Sequence, residues 1–332
     1  MRTLRDKAAT RAFFAAAPMA WRTPGDYKGY MAVTLGNFES ALVQMSDGER
    51  RRSAGEFLRD ECFAPLGIED EIYVGTPASV PDARFAVIDG MSGLEPLFAD
   101  SFPPGFVRRL LLEPRSYTAR AFANPRLSAL PSVLDYNRRE VKEIELPAAN
   151  GNATARAVAT LYAAAERAIN DPALASCALA RRARALGLSA AALAEFTAPA
   201  RPARLGGWHD EILGIDVTMS AGMMKPGPPD APPGRFSNFG ADGRAFGTPG
   251  AGGSFGFCDP AAELGYCYVP NRCSGYILDD PREMALRTKV WRCAQRAGGY
   301  SGARALPLAR LSVPHELAAR DVARFPYLAP LP

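Results

Sequence analysis

Several patterns are missing from this chain of 332 residues, and their absence excludes whole classes of protein. No apolar run approaches the ~20 residues that a membrane-spanning helix needs, so we expect no membrane span. Lysine occurs only five times, and the net charge of +4 is spread along the chain. No basic block with interleaved aromatic residues is present, which argues against a nucleic-acid partner.

Metal-binding and disulfide patterns are also missing. The six cysteines form no C-x-x-C pair, and His209 and His315 are the only histidines, so we expect no metal site and no cofactor. The N-terminal residues do not read as a secretory signal, which favours a cytoplasmic location. In that compartment buried, reduced thiols are the default expectation.

The composition that remains is that of a globular protein, since 48% of the residues are hydrophobic. A chain of this length can bury a sizeable core. We expect one domain over residues 1–299 and a tail rich in Pro, Ala and Arg at 300–332.

Hydrophobic periodicity and capping residues predict the main elements. Helices are expected at 53–67, 104–112, Ala153–Ala168, 172–186 and 189–196, and from the cap Asp280 to about Ala297. A short strand is expected at 72–75, and three antiparallel strands at 244–251, 253–258 and 265–270. A helical middle followed by a strand meander and a covering helix predicts an α/β (α+β) sandwich with an antiparallel sheet.

The most unusual segment is the run from Phe246 to Pro260. Between Gly247 and Gly256, six of ten residues are Gly or Ser. Glycine at this density within a strand pattern indicates close approach of the backbone to a ligand or to another backbone.

Several segments, in order along residues 15–297, resemble those of the β-lactamase-related serine hydrolases. That family includes class C β-lactamases, class VIII esterases and penicillin-binding-protein-like enzymes. The segment 21–34 is similar to the family's W-x-P-G…G-Y stretch, and Pro65-Leu66-Gly67 to its P-L-G. Residues 146–156, 246–260 and 268–272 look like the stretch before a family helix, the third-motif strand with its hairpin, and the next strand.

The resemblance implies a β-lactamase/transpeptidase-like fold, with an antiparallel sheet flanked by helices and a helical lobe. It also implies hydrolysis of a small-molecule ester or amide through an acyl-serine intermediate, which needs a nucleophile, a base and an oxyanion hole. The implied catalytic positions are Tyr30, as base or proton relay, and Ala251, as a backbone oxyanion donor; the implied substrate-binding positions are Thr248, Gly250, Gly252 and Asn271.

Two departures in the third motif weaken that implication. Thr248 replaces its usual cation, and Pro249 occupies its centre. Ala32 replaces the Asn of the tyrosine motif, which the esterase branch of the family tolerates. Without the cation, a Tyr30 phenolate loses electrostatic support. Tyr30 could instead be a packing residue, and Asn271 a turn-capping one.

The family's nucleophile motif, S-x-x-K, does not occur, since no lysine follows a serine at that spacing. We therefore expect a chain truncated before Tyr30, lacking the nucleophile and the family's first strands. The strand 265–270 would then present an unpaired edge, through which oligomers could form.

Two functions remain open at this point. The first is a carboxylesterase-like serine hydrolase whose nucleophile segment lies outside this chain. The second is a catalytically inactive member that serves as a binding or assembly module. Ser254 lies within a G-x-S-x-G pattern, but the expected hairpin lacks the strand–turn–helix that a nucleophile elbow requires.

Overall fold

The structure is a computed structural model that describes residues 6–90, 102–125, 127–128, 132–171, 173–232, 235–237 and 239–296. The predicted tail at 300–332, and His315 within it, lie outside these residues.

The first third of the chain is mainly helical. It contains α1 (Lys7–Ala15), α2 (Leu35–Ser46), α3 (Ala54–Leu58), a π-helical turn (Arg59–Phe63) and α4 (Ala64–Leu66). Ser53 and Glu56 form a reciprocal capping box at the start of α3, and Gly67 ends α4 in the left-handed conformation. The helix predicted at 53–67 is confirmed, whereas the sequence analysis made no prediction for α2.

A small ribbon and short helices follow. Strand β1 (Ile72–Tyr73) pairs antiparallel with β2 (Asn152–Ala153). Between them lie α5 (Phe106–Leu112), α6 (Tyr117–Phe122) and α7 (Arg139–Lys142). The helix predicted at 104–112 is confirmed as α5.

Three helices predicted in the middle of the chain are present. They are α8 (Ala155–Asn170), α9 (Ala178–Ala183) with a 3-10 turn (Arg184–Leu186), and α10 (Ala190–Thr197). The Thr154 hydroxyl accepts the N–H of Ala157 at 3.1 Å and so begins α8. Their apolar faces join α3, α4 and the intervening turn in a helical cluster that includes Phe63, Leu66, Ile68, Ala157, Ala164, Ala180 and Leu193.

The C-terminal half carries the main sheet. A ribbon of β3 (His209–Asp210) and β4 (Ile215–Asp216) precedes an antiparallel sheet in the order β5 (Thr218–Met219), β6 (Met224–Lys225), β7 (Phe246–Pro249), β8 (Phe255–Asp259) and β9 (Leu264–Tyr268). Helix α11 (Pro281–Arg296) follows. The three predicted strands are β7, β8 and β9.

Helices cover both faces of this sheet. Gly256 and Gly265 face α8, where an added Cβ at Gly265 would collide with the backbone of Ala163. On the other face the Trp291 ring of α11 lies 5.8 Å from the ring of Phe257. The sheet is therefore sandwiched between α8 and α11, as the sequence predicted. The second face forms a sheet cluster that includes Leu213, Val217, Met224, Phe239, Phe255, Phe257, Tyr266 and Trp291.

Strand β9 lies at the end of the sheet. Among the described residues its only strand neighbour is β8. Tyr266 of β9 is buried in the sheet cluster, whereas Val269, just beyond the strand, is 45% exposed. One edge of β9 thus lacks a partner strand within this part of the chain.

All six cysteines are free thiols. The expectation of buried thiols is right for Cys258 and wrong for Cys177 and Cys293, which are exposed. Cys177 lies at the surface because it caps α9, where its Sγ accepts the N–H of Ala180 at 3.4 Å. That hydrogen bond lowers the pKa of the Cys177 thiol.

Within the ranges that the structure describes, no helix has the length and apolar character needed to cross a membrane.

Candidate active site

The turn between β7 and β8 is the best-defined part of the site, and we call residues Gly250–Ser254 the β7–β8 turn. The Gly250 N–H donates to the Ser254 carbonyl at 2.7 Å, and the Gly253 N–H to the Gly250 carbonyl at 3.2 Å. Gly252 and Gly253 have φ angles of +91° and +102°, in the region that favours glycine. The strand predicted to reach Ala251 therefore ends at Pro249, because these glycines reverse the chain.

Space also restricts the turn to glycine. A Cβ at Gly252 would collide with the Cys273 Sγ, and one at Gly253 with the Asp280 carboxylate. The density of glycine seen in the sequence is thus explained by contact with the segment that precedes α11.

This segment fixes the turn through its polar groups. The Gly252 carbonyl accepts the Ser274 N–H at 3.0 Å and the Arg282 guanidinium at 3.2 Å. Arg282 is held in turn by Asp280 at 2.6 Å, and Asp280 accepts the Ser274 hydroxyl at 2.7 Å. Ala251 is exposed at the tip of this braced turn.

Thr248 lies on β7 just before the turn and is exposed. Its hydroxyl donates to the Met223 Sδ at 3.2 Å, and the Tyr162 hydroxyl of α8 donates to the same sulfur at 3.8 Å. Burial raises the pKa of Tyr162, outweighing its hydrogen bond with Thr248, so the phenol stays protonated. The sequence analysis missed Tyr162 and Met223 as site residues.

Tyr30 is held by a buried carboxylate. Its backbone N–H donates to Asp210 Oδ1 at 3.2 Å, and the same oxygen accepts the N–H groups of Ile212 and Leu213 at 3.0 and 2.9 Å. Burial, and then the charge of Asp210, raise the pKa of Tyr30. Its phenol is therefore a neutral hydrogen-bond donor at neutral pH, and a phenolate base is disfavoured.

Lys28 is the cation closest in sequence to Tyr30, but its ammonium group contacts Val217 and Trp208. Its Nζ donates to the Val217 carbonyl at 2.6 Å and lies 5.2 Å from the centre of the Trp208 ring. Burial lowers the pKa of Lys28, while Asp210 and Asp216 oppose that shift. The sequence analysis did not single out Lys28.

Asn271 is exposed just after β9. Its carbonyl accepts the Asp89 N–H at 2.8 Å, and the Cys273 N–H donates to the Asp89 carbonyl at 2.7 Å. The backbone around Asn271 is thus tied to a distant segment and, through Ser274, to Gly252.

The predicted residues fall into two groups. Thr248, Gly250, Ala251 and Gly252 are contiguous, and Asn271 lies on the segment that braces them. Tyr30 packs against the sheet cluster, and within the described part of the chain no hydrogen bond joins it to the β7–β8 turn. The pocket below the turn, about 10 Å³, is too small for a substrate, so the exposed tip is the accessible part.

The alternative nucleophile is not supported by this geometry. Ser254 is followed directly by strand β8, so the helix that a nucleophile elbow requires is replaced by a hairpin. His209 lies on β3, with Nδ1 at 3.5 Å from Asp216 Oδ1, as a structural histidine would. The described residues hold no cluster of three or more metal-ligating side chains.

Comparison with solved structures finds the same architecture elsewhere. A family VIII carboxylesterase is 25% identical, with a TM-score of 0.64 over 88% of this chain and 65% of its own. EstA from Arthrobacter nitroguajacolicus Rue61a is 26% identical, with a TM-score of 0.67 over 90% and 68%. A penicillin-binding protein homolog from Caulobacter crescentus is 24% identical, with a TM-score of 0.56 over 89% and 64%, which shows the fold alone.

This chain therefore spans about two thirds of the length of these proteins. Comparison with the curated proteins finds no match. A family model described as Beta-lactamase matches residues 2–288, which is most of the chain. The fold that the resemblance implied is confirmed, and the chain belongs to the beta-lactamase family.

Proposed function

We propose that this chain forms the substrate-binding and oxyanion part of a carboxylesterase-like serine hydrolase site. An ester, or an amide such as a β-lactam, would react there through an acyl-serine intermediate. The observation that carries the proposal is the braced β7–β8 turn, which leaves Ala251 exposed at its tip, close in sequence to the exposed Thr248. A fixed backbone donor is what a developing oxyanion requires.

The remaining residues take supporting roles. Gly250 and Gly252 would contribute to substrate binding through the tight turn that exposes Ala251, and Asn271 would contribute from an exposed position. Tyr30, as a neutral phenol, would relay a proton rather than act as a phenolate base. No S-x-x-K occurs in these 332 residues, so that motif does not supply the nucleophile from within this sequence.

Esters are favoured over β-lactams as substrates for two reasons. Thr248 places no positive charge where an anionic β-lactam would need one, and Ala32 offers no amide to its side chain. The similar structure described as a family VIII carboxylesterase supports the same choice.

The test measures the binding of phenyl butyrate, a short-chain ester, to the chain by NMR saturation transfer. Ala251→Pro removes the backbone N–H and is expected to weaken binding about tenfold, the worth of one good hydrogen bond. Ala251→Ser keeps the N–H and should bind like the wild type. Equal binding by all three chains would reject Ala251 as the oxyanion donor.

The second candidate is an inactive member that serves as a binding or assembly module. The absent S-x-x-K, Thr248 in place of a cation and the raised pKa of Tyr30 favour it. Absence of ester binding in the wild type would support this candidate over the first.

Labelling with a fluorophosphonate tests the nucleophile separately. Both candidates predict no labelled serine in this chain. A label on Ser254, located by peptide mapping, would restore the elbow hypothesis.

A further inference from the structure

A second pocket lies away from the β7–β8 turn. Its volume is about 340 Å³, and it is bounded by α8, α10, the end of β6 and the loops at residues 243–244 and 260. Residue 244 precedes β7 and residue 260 follows β8, so the pocket lies toward the opposite end of these antiparallel strands from the turn.

The lining of this pocket is apolar with a cationic side. Ile169, Leu193, Ala194 and Pro260 are among the apolar lining residues. Lys225 and Arg244 line it as well, and no acidic residue does. A surface of this kind complements a molecule with a hydrocarbon part and one negative charge.

Lys225 is the unusual member, because only 4% of it is exposed. Its Nζ donates to the Arg244 carbonyl at 3.1 Å and lies 5.8 Å from the centre of the Phe246 ring. An ammonium group has three N–H donors, and among the described residues the structure gives this one a single hydrogen-bond acceptor.

The electrostatic environment of the Lys225 ammonium favours binding of an anion. Burial lowers its pKa to about 8, although Asp242 and Cys258 oppose that shift. Asp242 is itself engaged by the Arg244 guanidinium at 2.9 Å. A buried ammonium with spare donors is stabilised by an anion that enters the pocket.

We propose that this pocket binds an aliphatic carboxylate, such as a medium-chain fatty acid. The carboxylate accepts hydrogen bonds from Lys225 Nζ, and the hydrocarbon chain lies against Ile169, Leu193 and Pro260. None of the residues assigned to the candidate active site takes part, so this proposal stands apart from the proposed function.

Calorimetric titration of the full chain tests the proposal, with octanoate as the ligand and n-octanol as its uncharged analogue. Octanoate is expected to bind about ten- to a hundredfold more tightly than octanol, because the alcohol lacks the charge-assisted hydrogen bond. Equal affinities for the two, or no octanoate binding at millimolar concentration, would overturn the proposal.

Variants then assign the binding to the pocket. Lys225→Met should lower octanoate affinity by about ten- to a hundredfold and leave octanol binding unchanged. Lys289→Met removes an exposed lysine on α11 and should change neither. Ala194→Trp fills the pocket and should abolish both. Octanoate binding that survives Lys225→Met or Ala194→Trp would refute the assignment.

A measurement on the wild type covers the case in which Lys225→Met does not fold. Acetylation by an N-hydroxysuccinimide ester, followed by peptide mapping, reports the reactivity of each lysine. Saturating octanoate should slow acetylation of Lys225 and leave the four other lysines unchanged. Unaltered acetylation of Lys225 would contradict the proposal.

Discussion

Glu283 places a carboxyl group in the buried layer between α11 and the sheet. Its Oε2 lies 3.2 Å from the Arg287 guanidinium. Burial is the largest cause that raises its pKa from 4.5 to about 7, with Asp279 and Asp280 adding to the rise and Arg287 and Tyr266 opposing it. The folded protein therefore binds this proton more tightly than the unfolded chain does.

This difference predicts a pH-dependent stability. The raised pKa stabilises the folded state below pH 4.5, and that contribution is lost as the pH rises through about 7. We expect Glu283 to account for a loss of up to about 3 kcal/mol across this range. Urea unfolding at a series of pH values measures it.

Two variants isolate the contribution of Glu283. Glu283→Gln has no carboxyl to titrate. Its free energy of unfolding should therefore change less steeply with pH, between pH 4.5 and about 7, than that of the wild type. Glu49→Gln removes an exposed carboxyl and should leave the wild-type slope. If the stability of Glu283→Gln follows the wild-type pH profile throughout, the Glu283 carboxyl is not the source of the pH dependence.

At the candidate site the sequence indicated a local feature of the backbone, whereas the roles of the individual residues stay predictions. Five glycines and one serine among ten residues indicated close backbone contact, and the structure explains it through Cys273 and Asp280. The contact of Tyr162 with Met223 beside Thr248 depends on how α8 lies across the sheet. Periodicity predicted the helix that carries Tyr162 and gave no sign of this contact.

At the scale of elements, the packing of α8 on β9 depends on one glycine. A Cβ at Gly265 would collide with the Ala163 nitrogen and lie 2.6 Å from the Ala159 carbonyl oxygen. Gly265→Ala should therefore push α8 from the sheet and lower the free energy of unfolding by about 1–3 kcal/mol.

A matched glycine separates this effect from the general cost of the substitution. An added Cβ at Gly151 meets nothing within 4 Å, so Gly151→Ala should change stability by less than about 0.5 kcal/mol. Thermal unfolding of both variants measures the difference. Equal stability of the two would show that α8 does not rest on Gly265.

Long elements with caps and regular periodicity were the predictable ones. Thr154 caps α8 through its hydroxyl, and the apolar stripe of α8 is regular. Helix α2 was missed because Gly36, a poor helix former, lies in its first turn; its N-cap residue, Thr34, makes no capping hydrogen bond through its side chain. Strands β3 to β6 have two residues each, too few for an alternation to be recognised.

At the scale of the whole molecule, the order of the sheet connects the candidate site with assembly. The β7–β8 turn lies near the middle of the sheet, whereas β9 lies at its end. Resemblance to a family supplied this architecture, because local patterns do not specify which strands become neighbours. The unpaired edge followed from the architecture, and the structure confirms it for the described residues.

An unpaired edge next to an exposed valine predicts self-association. Strand β9 of one copy can pair with β9 of another, because within the described residues β9 has a partner strand on one side only. The mean mass measured by light scattering should then rise with concentration.

Val269→Lys places a charge beside the edge and should reduce the rise in mass, because facing copies bring like charges together. Leu112→Lys, at a residue that is 69% exposed on α5, should leave it unchanged. A mass that stays monomeric at every concentration would show that the edge of β9 does not pair between copies.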